Sequence, residues 1–178
     1  MSLYQDFKPS ILFLAKFIGL YLLLNVAYGF YLDHYDEAAD PMTVWTTKQT
    51  ANMLSWYQEG ISTGPKEDLE SVYIFKSERA ILSVYEGCNG LNVMIIFFAF
   101  IIAYSKLSTK MIWFIPLGLV IIHLFNLARI TLLYHVTLSL PDLLYFTHKY
   151  LFTAIIYLAV FILWALWVMK LNKKPTNA

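Results

Sequence analysis

The run MIWFIPLGLVIIHLFNLARITLLY at Met111–Tyr134 contains one charged residue, Arg129. A stretch this long and apolar finds partners for its peptide groups in a lipid core only by folding as a helix, because hydrocarbon offers neither donors nor acceptors. Similar runs lie at about 11–32, 90–104 and 149–169. The second is short, but Leu91–Ile102 holds a single polar residue, Asn92. Only 14% of the 178 residues are charged, where a soluble domain carries about a quarter. The expected fold is therefore an all-α integral membrane protein: one domain over 1–178, a four-helix transmembrane bundle. Lys8 and Lys16 ahead of Ala27-Tyr28-Gly29 loosely resemble a cleavable leader. The apolar run continues through Phe30, Tyr31 and Leu32, which favours an uncleaved anchor.

Orientation follows from the lysines. With the N-terminus inside, Lys8, Lys16, Lys106, Lys110, Lys170, Lys173 and Lys174 all fall on the cytoplasmic face. Asp33, Asp36, Glu37, Asp40, Glu59, Glu67, Asp68, Glu70, Glu78, Glu86 and Asp142 fall on the other, leaving only Asp6 inside. This predicts a multi-pass protein of the cell membrane with both termini cytoplasmic. The loops at 33–88 and Tyr134–His148 are then extracytoplasmic. In the larger loop, DPMTVWTTKQTANMLSWYQEG reads as a helix capped by Asp40, opened by Pro41 and stopped at Gly60. Trp45, Met53, Trp56 and Tyr57 suit a place in the outer interface. STGPKED reads as a turn-rich break, and LESVYIF with AILSVYE as a β-hairpin joined by Lys76–Arg79.

That hairpin leads into Glu86-Gly87-Cys88-Asn89-Gly90, which holds the single cysteine. One cysteine excludes an internal disulfide and leaves a buried small residue, a reactive thiol or an intermolecular link. Gly87 and Gly90 permit a tight turn, and the N–H groups of an opening helix lower a thiol pKa and can bind an oxyanion. A thiol so activated would react with an outside reagent faster than a model thiol at mildly acidic pH. Arg129 lies roughly 27 Å along its helix from Met111 at about 1.5 Å per residue, which brings it near the outer end. An arginine in a span marks function or snorkels to lipid phosphate. Asn126, three residues earlier on the same face, could orient the guanidinium or hold two helices together. His135 and His148 are both near the outer surface, and either could serve Cys88. His34 reads as a surface residue, and His123 as a packing or hydrogen-bonding one. No metal-ligand spacing, phosphate loop or nucleic-acid signature is present, so neither metal nor cofactor is expected.

Three motifs in this order resemble the exosortase/archaeosortase family: Cys88-Asn89-Gly90 at the start of one span, Asn126-Leu127-Ala128-Arg129 in the next, and His148 opening the last. The similarity covers about Val72–Trp167. Many members have additional spans and a glycine after the histidine, where this chain reads HKYLF. The resemblance implies a membrane-embedded cysteine transpeptidase or protease with Cys88, Arg129 and His148 as its site. Its partner would be a membrane-anchored protein substrate with a C-terminal sorting tail: a short motif, a transmembrane helix and basic residues. The competing class is a non-catalytic membrane assembly factor or transporter accessory subunit, with Cys88 as packing and Arg129 and Asn126 as structural glue. A channel or pump fits less well, since Arg129 is alone among charges in the span interiors.

Overall fold

The computed structural model describes residues 3–35, 38–66, 69–105 and 108–171. Asp36, Glu37, Glu67, Asp68, Lys106, Lys173 and Lys174, on which part of the charge argument rests, lie outside the described residues, as do the side chains of Asp6, Glu70 and Lys170. The chain runs α1 (Leu3–Asp33), α2 (Pro41–Ser55), β1 (Ile61–Lys66), β2 (Leu69–Lys76), β3 (Arg79–Tyr85) and a 3₁₀ turn (Glu86–Cys88). It continues through α3 (Leu91–Tyr104), α4 (Thr109–Ser139), a 3₁₀ turn (Pro141–Leu143), α5 (Leu144–Phe146), a π-helical turn (Thr147–Leu151) and α6 (Phe152–Leu166), which ends in a second π-helical turn (Trp167–Leu171).

Among the described residues three helical segments are long and apolar enough to cross a membrane: Phe7–Asp33, Thr109–Ser139 and Pro141–Met169. The expected second span is α3, whose 14 residues rise only about 21 Å, against a hydrocarbon core of about 30 Å. Two boundaries also move. The third apolar helix continues past Tyr134 to Ser139, and the fourth begins at the Pro141 turn rather than at Lys149. The predicted loop Tyr134–His148 is therefore mostly helix, with its turn confined to the residues around Leu140.

The bundle has two unlike ends. At one, Phe114 of α4 stacks on Trp167 at 4.9 Å, Phe13 of α1 meets Tyr104 of α3 edge-on, and Ser108 caps α4. Between the ends, Phe97 and Ile101 of α3, Ile122 of α4, and Ile156, Val160 and Leu163 of α6 form one buried apolar core. Gly118 lets α3 and α4 close on each other, since a Cβ there would run into the Phe97 ring. At the other end α2 and the sheet roof a second cluster: Leu54, Ile74, Val84, Cys88, Ile130 and Tyr134.

Asp40 caps α2 as expected, accepting from the N–H groups of Met42 at 2.9 Å and Thr43 at 3.2 Å, with Pro41 in the first turn. The helix stops at Ser55 rather than at Gly60. Gly60 instead uses its φ of +74° to enter β1, and its carbonyl accepts from Ser77 N–H at 2.9 Å. Trp45, Trp56 and Tyr57 are exposed and Met53 is half-buried. The buried face of α2 is a stripe of threonines, Thr43, Thr46, Thr47 and Thr50, with Leu54. Two of their hydroxyls bond back to carbonyls one turn earlier, Thr47 to Thr43 and Thr50 to Thr46, so the stripe buries with those donors used.

The expected hairpin is the β2–β3 pair of an antiparallel three-stranded sheet in the order β1-β2-β3. Its connection uses Ser77 and Glu78, both at positive φ, as a tight hairpin turn demands. The STGPK segment, read from sequence as a break, is strand β1. It is an edge strand, where Pro65 is tolerated beside an irregularity in the register.

Because the α3–α4 contact is filled at Gly118, Gly118→Leu is expected to destabilise the protein by about 1–3 kcal/mol through overpacking. Gly19→Ala, with nothing within 4 Å of the added Cβ, should leave stability unchanged or slightly higher. Thermal unfolding in detergent distinguishes the two.

Candidate active site

The turn carrying the cysteine is held by two asparagines. Asn89 is fully buried. Its side-chain carbonyl accepts from Leu91 N–H at 2.9 Å, an Asx turn that leads into α3. Its amide donates to the Tyr28 hydroxyl at 3.1 Å and to the Thr43 hydroxyl at 3.2 Å, which ties α1 and α2 to the turn. Thr43 in turn donates to Asp40, itself buried and approached by the Tyr31 hydroxyl. On the opposite side Asn126, also fully buried, donates from Nδ2 to the Cys88 carbonyl at 2.9 Å. Gly90, at φ +88°, lets the chain turn directly over Asn126, since a Cβ there would lie 3.1 Å from the amide carbon. At Gly87 a Cβ would collide with the Tyr85 ring, which folds back over the turn.

Asn126 therefore holds the backbone of the cysteine turn rather than the guanidinium. Its Oδ1 and the Arg129 Nε, one helical turn apart, are both buried and without hydrogen-bond partners among the described residues.

Cys88 is 4% exposed. Its Sγ lies 3.5 Å from His148 Nε2, so the structure brings these two predicted residues together. His148 does not open a helix, as the sequence suggested. It sits within the π-helical turn Thr147–Leu151 of a continuous helical segment. The extra residue of a π turn re-aims side chains relative to the regular helix beyond it, and such turns recur at functional sites. The Thr153 hydroxyl accommodates the widened turn by donating to the His148 carbonyl at 3.3 Å. The Arg129 charge acts on Cys88, Tyr85 and His148 alike, so the third predicted residue shares their neighbourhood. His135, the alternative base, is engaged elsewhere: it shares a hydrogen bond with the Tyr57 hydroxyl at 3.0 Å and stacks on that ring. His123 stacks on Trp45 at 4.5 Å and hydrogen-bonds Gln49, as a packing and hydrogen-bonding residue does.

The thiol is not pre-ionised in the way the sequence suggested. Burial pushes its pKa up, and the Arg129 charge and a hydrogen bond from the Tyr85 side chain offset only part of that. The N–H groups expected to lower it are in part already used: Asn89 N–H bonds the Glu86 carbonyl and Leu91 N–H bonds Asn89 Oδ1. Tyr85 was not singled out from sequence, and no role at the cysteine turn was read for Asn89, Asp40, Thr43 or Tyr28. For Asn89 a signal was present, since asparagine ahead of glycine favours a turn in which its side-chain carbonyl accepts from the N–H two residues on. Such an arrangement suits a thiol that gives its proton to a neighbouring imidazole when a carbonyl arrives, with a guanidinium beside it to meet negative charge.

Alkylation of Cys88 by a membrane-impermeant methanethiosulfonate should therefore be slower than that of a free thiol at neutral pH. It should rise through the alkaline range, because the thiolate appears only above the raised pKa. Arg129→Gln removes a lowering influence and should shift that rate profile to still higher pH. A Cys88 that outpaces a model thiol at mildly acidic pH would contradict this picture.

Comparison with known proteins finds no curated protein and no solved structure that matches the chain. Residues 7–169 match the family of transmembrane exosortases. This match takes in nearly the whole of the helical bundle, including Cys88, Asn126, Arg129 and His148, and the chain belongs to the transmembrane exosortase family.

Proposed function

We propose that this protein is a membrane-embedded cysteine peptidase or transpeptidase that removes the C-terminal sorting signal of exported proteins. The observation that carries the reading is the 3.5 Å approach of Cys88 Sγ to His148 Nε2, in a turn held by a buried asparagine and under the charge of Arg129. A thiol beside an imidazole is the minimal apparatus of nucleophilic acyl transfer.

In the first step His148 Nε2 takes the thiol proton as Sγ attacks the scissile carbonyl carbon. Negative charge collects on the carbonyl oxygen. The Arg129 guanidinium, whose Nε has no partner among the described residues, is the donor at hand. The C–N bond then breaks, and His148 passes its proton to the leaving amine. The acyl group remains on Cys88 as a thioester. Water or an acceptor amine attacks it, with His148 again as base, and the thiol is restored. Because the thiol rests protonated, both proton transfers run through one imidazole, and its orientation by the π-helical turn matters to each.

The substrate is a protein anchored by a C-terminal transmembrane helix with a basic tail. The same charge rule that orients this chain, with Lys8 and Lys110 at one end of the bundle, aligns such a helix beside it. In this arrangement α3 completes a four-helix membrane unit in the cell membrane, both termini are cytoplasmic, and the scissile bond lies at the extracytoplasmic surface beside Cys88.

Cys88→Ala should abolish removal of C-terminal segments from membrane proteins while the protein still folds and inserts. His148→Ala should lower the rate by about 10²–10⁴, the usual worth of a general acid–base group. Mass spectrometry of membrane-protein C-termini, with and without an active Cys88, reads both. Unchanged C-termini in the Cys88→Ala strain would overturn the reading in favour of a non-catalytic assembly role.

A further inference from the structure

On the membrane-facing flank, α4 and α6 part to leave a cleft of about 150 Å³. Phe125, Ala128 and Leu132 of α4 and Phe152 and Ile155 of α6 line it, and Arg129 supplies its only polar side chain. Ala128 forms a notch between two large neighbours on its own helix. It is exposed, although every residue around it on the cleft walls is bulkier. An apolar cavity of this size accepts a group about as large as benzene.

Two observations say what belongs there. The cleft neighbours the cysteine site: Phe152 follows His148 by one turn, and Arg129, whose charge acts on Cys88 and His148, forms part of its wall. In addition, Arg129 Nε is buried without a partner among the described residues, and no acidic residue lines the cleft. An occupant must therefore be apolar along most of its length and bring a hydrogen-bond acceptor at the Arg129 end. From that end the cleft leads past Phe125 and Ile155 toward the Thr109 and Met169 end of the bundle.

Resting on the peptidase reading, we infer that this cleft receives the transmembrane helix of the substrate, entering sideways from the bilayer. One leucine- or phenylalanine-sized side chain, just C-terminal to the scissile bond, fills the notch over Ala128. The carbonyls of the extended residues just ahead of that helix, which lie outside its hydrogen-bond ladder, face Arg129, whereas the first turn itself leaves only N–H groups free. The notch is thus a specificity subsite on the leaving-fragment side. It selects for a large apolar residue, as hydrophobic pockets do.

The test uses full-length protein carrying Cys88→Ala, reconstituted in phosphatidylcholine vesicles, so that docking is read without turnover. The probe is a synthetic single-span peptide with a polar N-terminal segment, a leucine in the first turn of its apolar stretch, and a lysine-rich C-terminal tail. A benzophenone amino acid is placed at position 155 in the cleft, or at position 157, which is similarly exposed (41% and 48% for the native residues) but points away from it. Cross-linking to the peptide should be several-fold stronger from 155. Replacing the first-turn leucine by alanine should weaken it by about tenfold, and so should Ala128→Leu, which fills the notch. Equal adducts from 155 and 157, or adducts from 155 to phospholipid that the peptide does not displace, would overturn the inference. The peptidase reading fails separately, if native membrane proteins still lose their C-terminal segments in the Cys88→Ala strain.

Discussion

A peptide turn cannot lie at the edge of a membrane bundle with its polar groups unpaired, and the Glu86–Gly90 turn meets that constraint through two buried asparagines. Asn126 reaches across from α4 to donate to the Cys88 carbonyl, and Asn89 accepts from the first N–H of α3 while bonding α1 and α2. Everything else at this end of the molecule is arranged around those contacts. The positive φ of Gly90 is what allows Asn126 to come so close. The threonine face of α2 supplies the hydroxyl that Asn89 needs, and the sheet closes over the apolar side of the turn with Ile74 and Val84. The thiol is fixed by its backbone, so its side chain is left free to face His148.

Rigid backbone and a raised thiol pKa belong together here. A thiolate held permanently in so buried a place would be costly, because burial disfavours the charged form. A neutral thiol beside a neutral imidazole is compatible with the surrounding apolar cluster. In the proposed reaction, charge develops only when a carbonyl is present to share it, and Arg129 is the group that meets it. That proposal reconciles resting stability with reactivity by separating the proton acceptor from the charge stabiliser.

Much of this site was legible in the sequence, but as depth rather than contact. Lysine asymmetry and helical rise put Cys88, Arg129 and His148 at one level, and the structure brings the thiol and His148 together. Sequence alone could not choose between His135 and His148. That choice depends on a π-helical turn which re-aims His148 and on Tyr57, which engages His135; neither has a local signature. The role of Asn126 was hidden for a related reason: its partner is a backbone carbonyl far away in the chain, and its periodicity is that of any inward-facing polar residue. Strand β1 was misread because SER-THR-GLY-PRO chemistry in Ser62–Pro65 favours turns, whereas pairing with β2 overrides local preference at a sheet edge. The second apolar helix was foreseen over about 90–104, close to the observed Leu91–Tyr104, but its 14 residues are fewer than those of the helices long enough to cross a membrane.

The shortness of α3 makes it a ruler. Its 14 residues rise about 21 Å, about 9 Å less than the thickness of a hydrocarbon core. The turn that carries Cys88 runs straight into its first residue. How far that turn stands from the Ser105 end of the bundle is therefore set not by the pocket around the thiol but by the length of a helix that carries none of the chemistry.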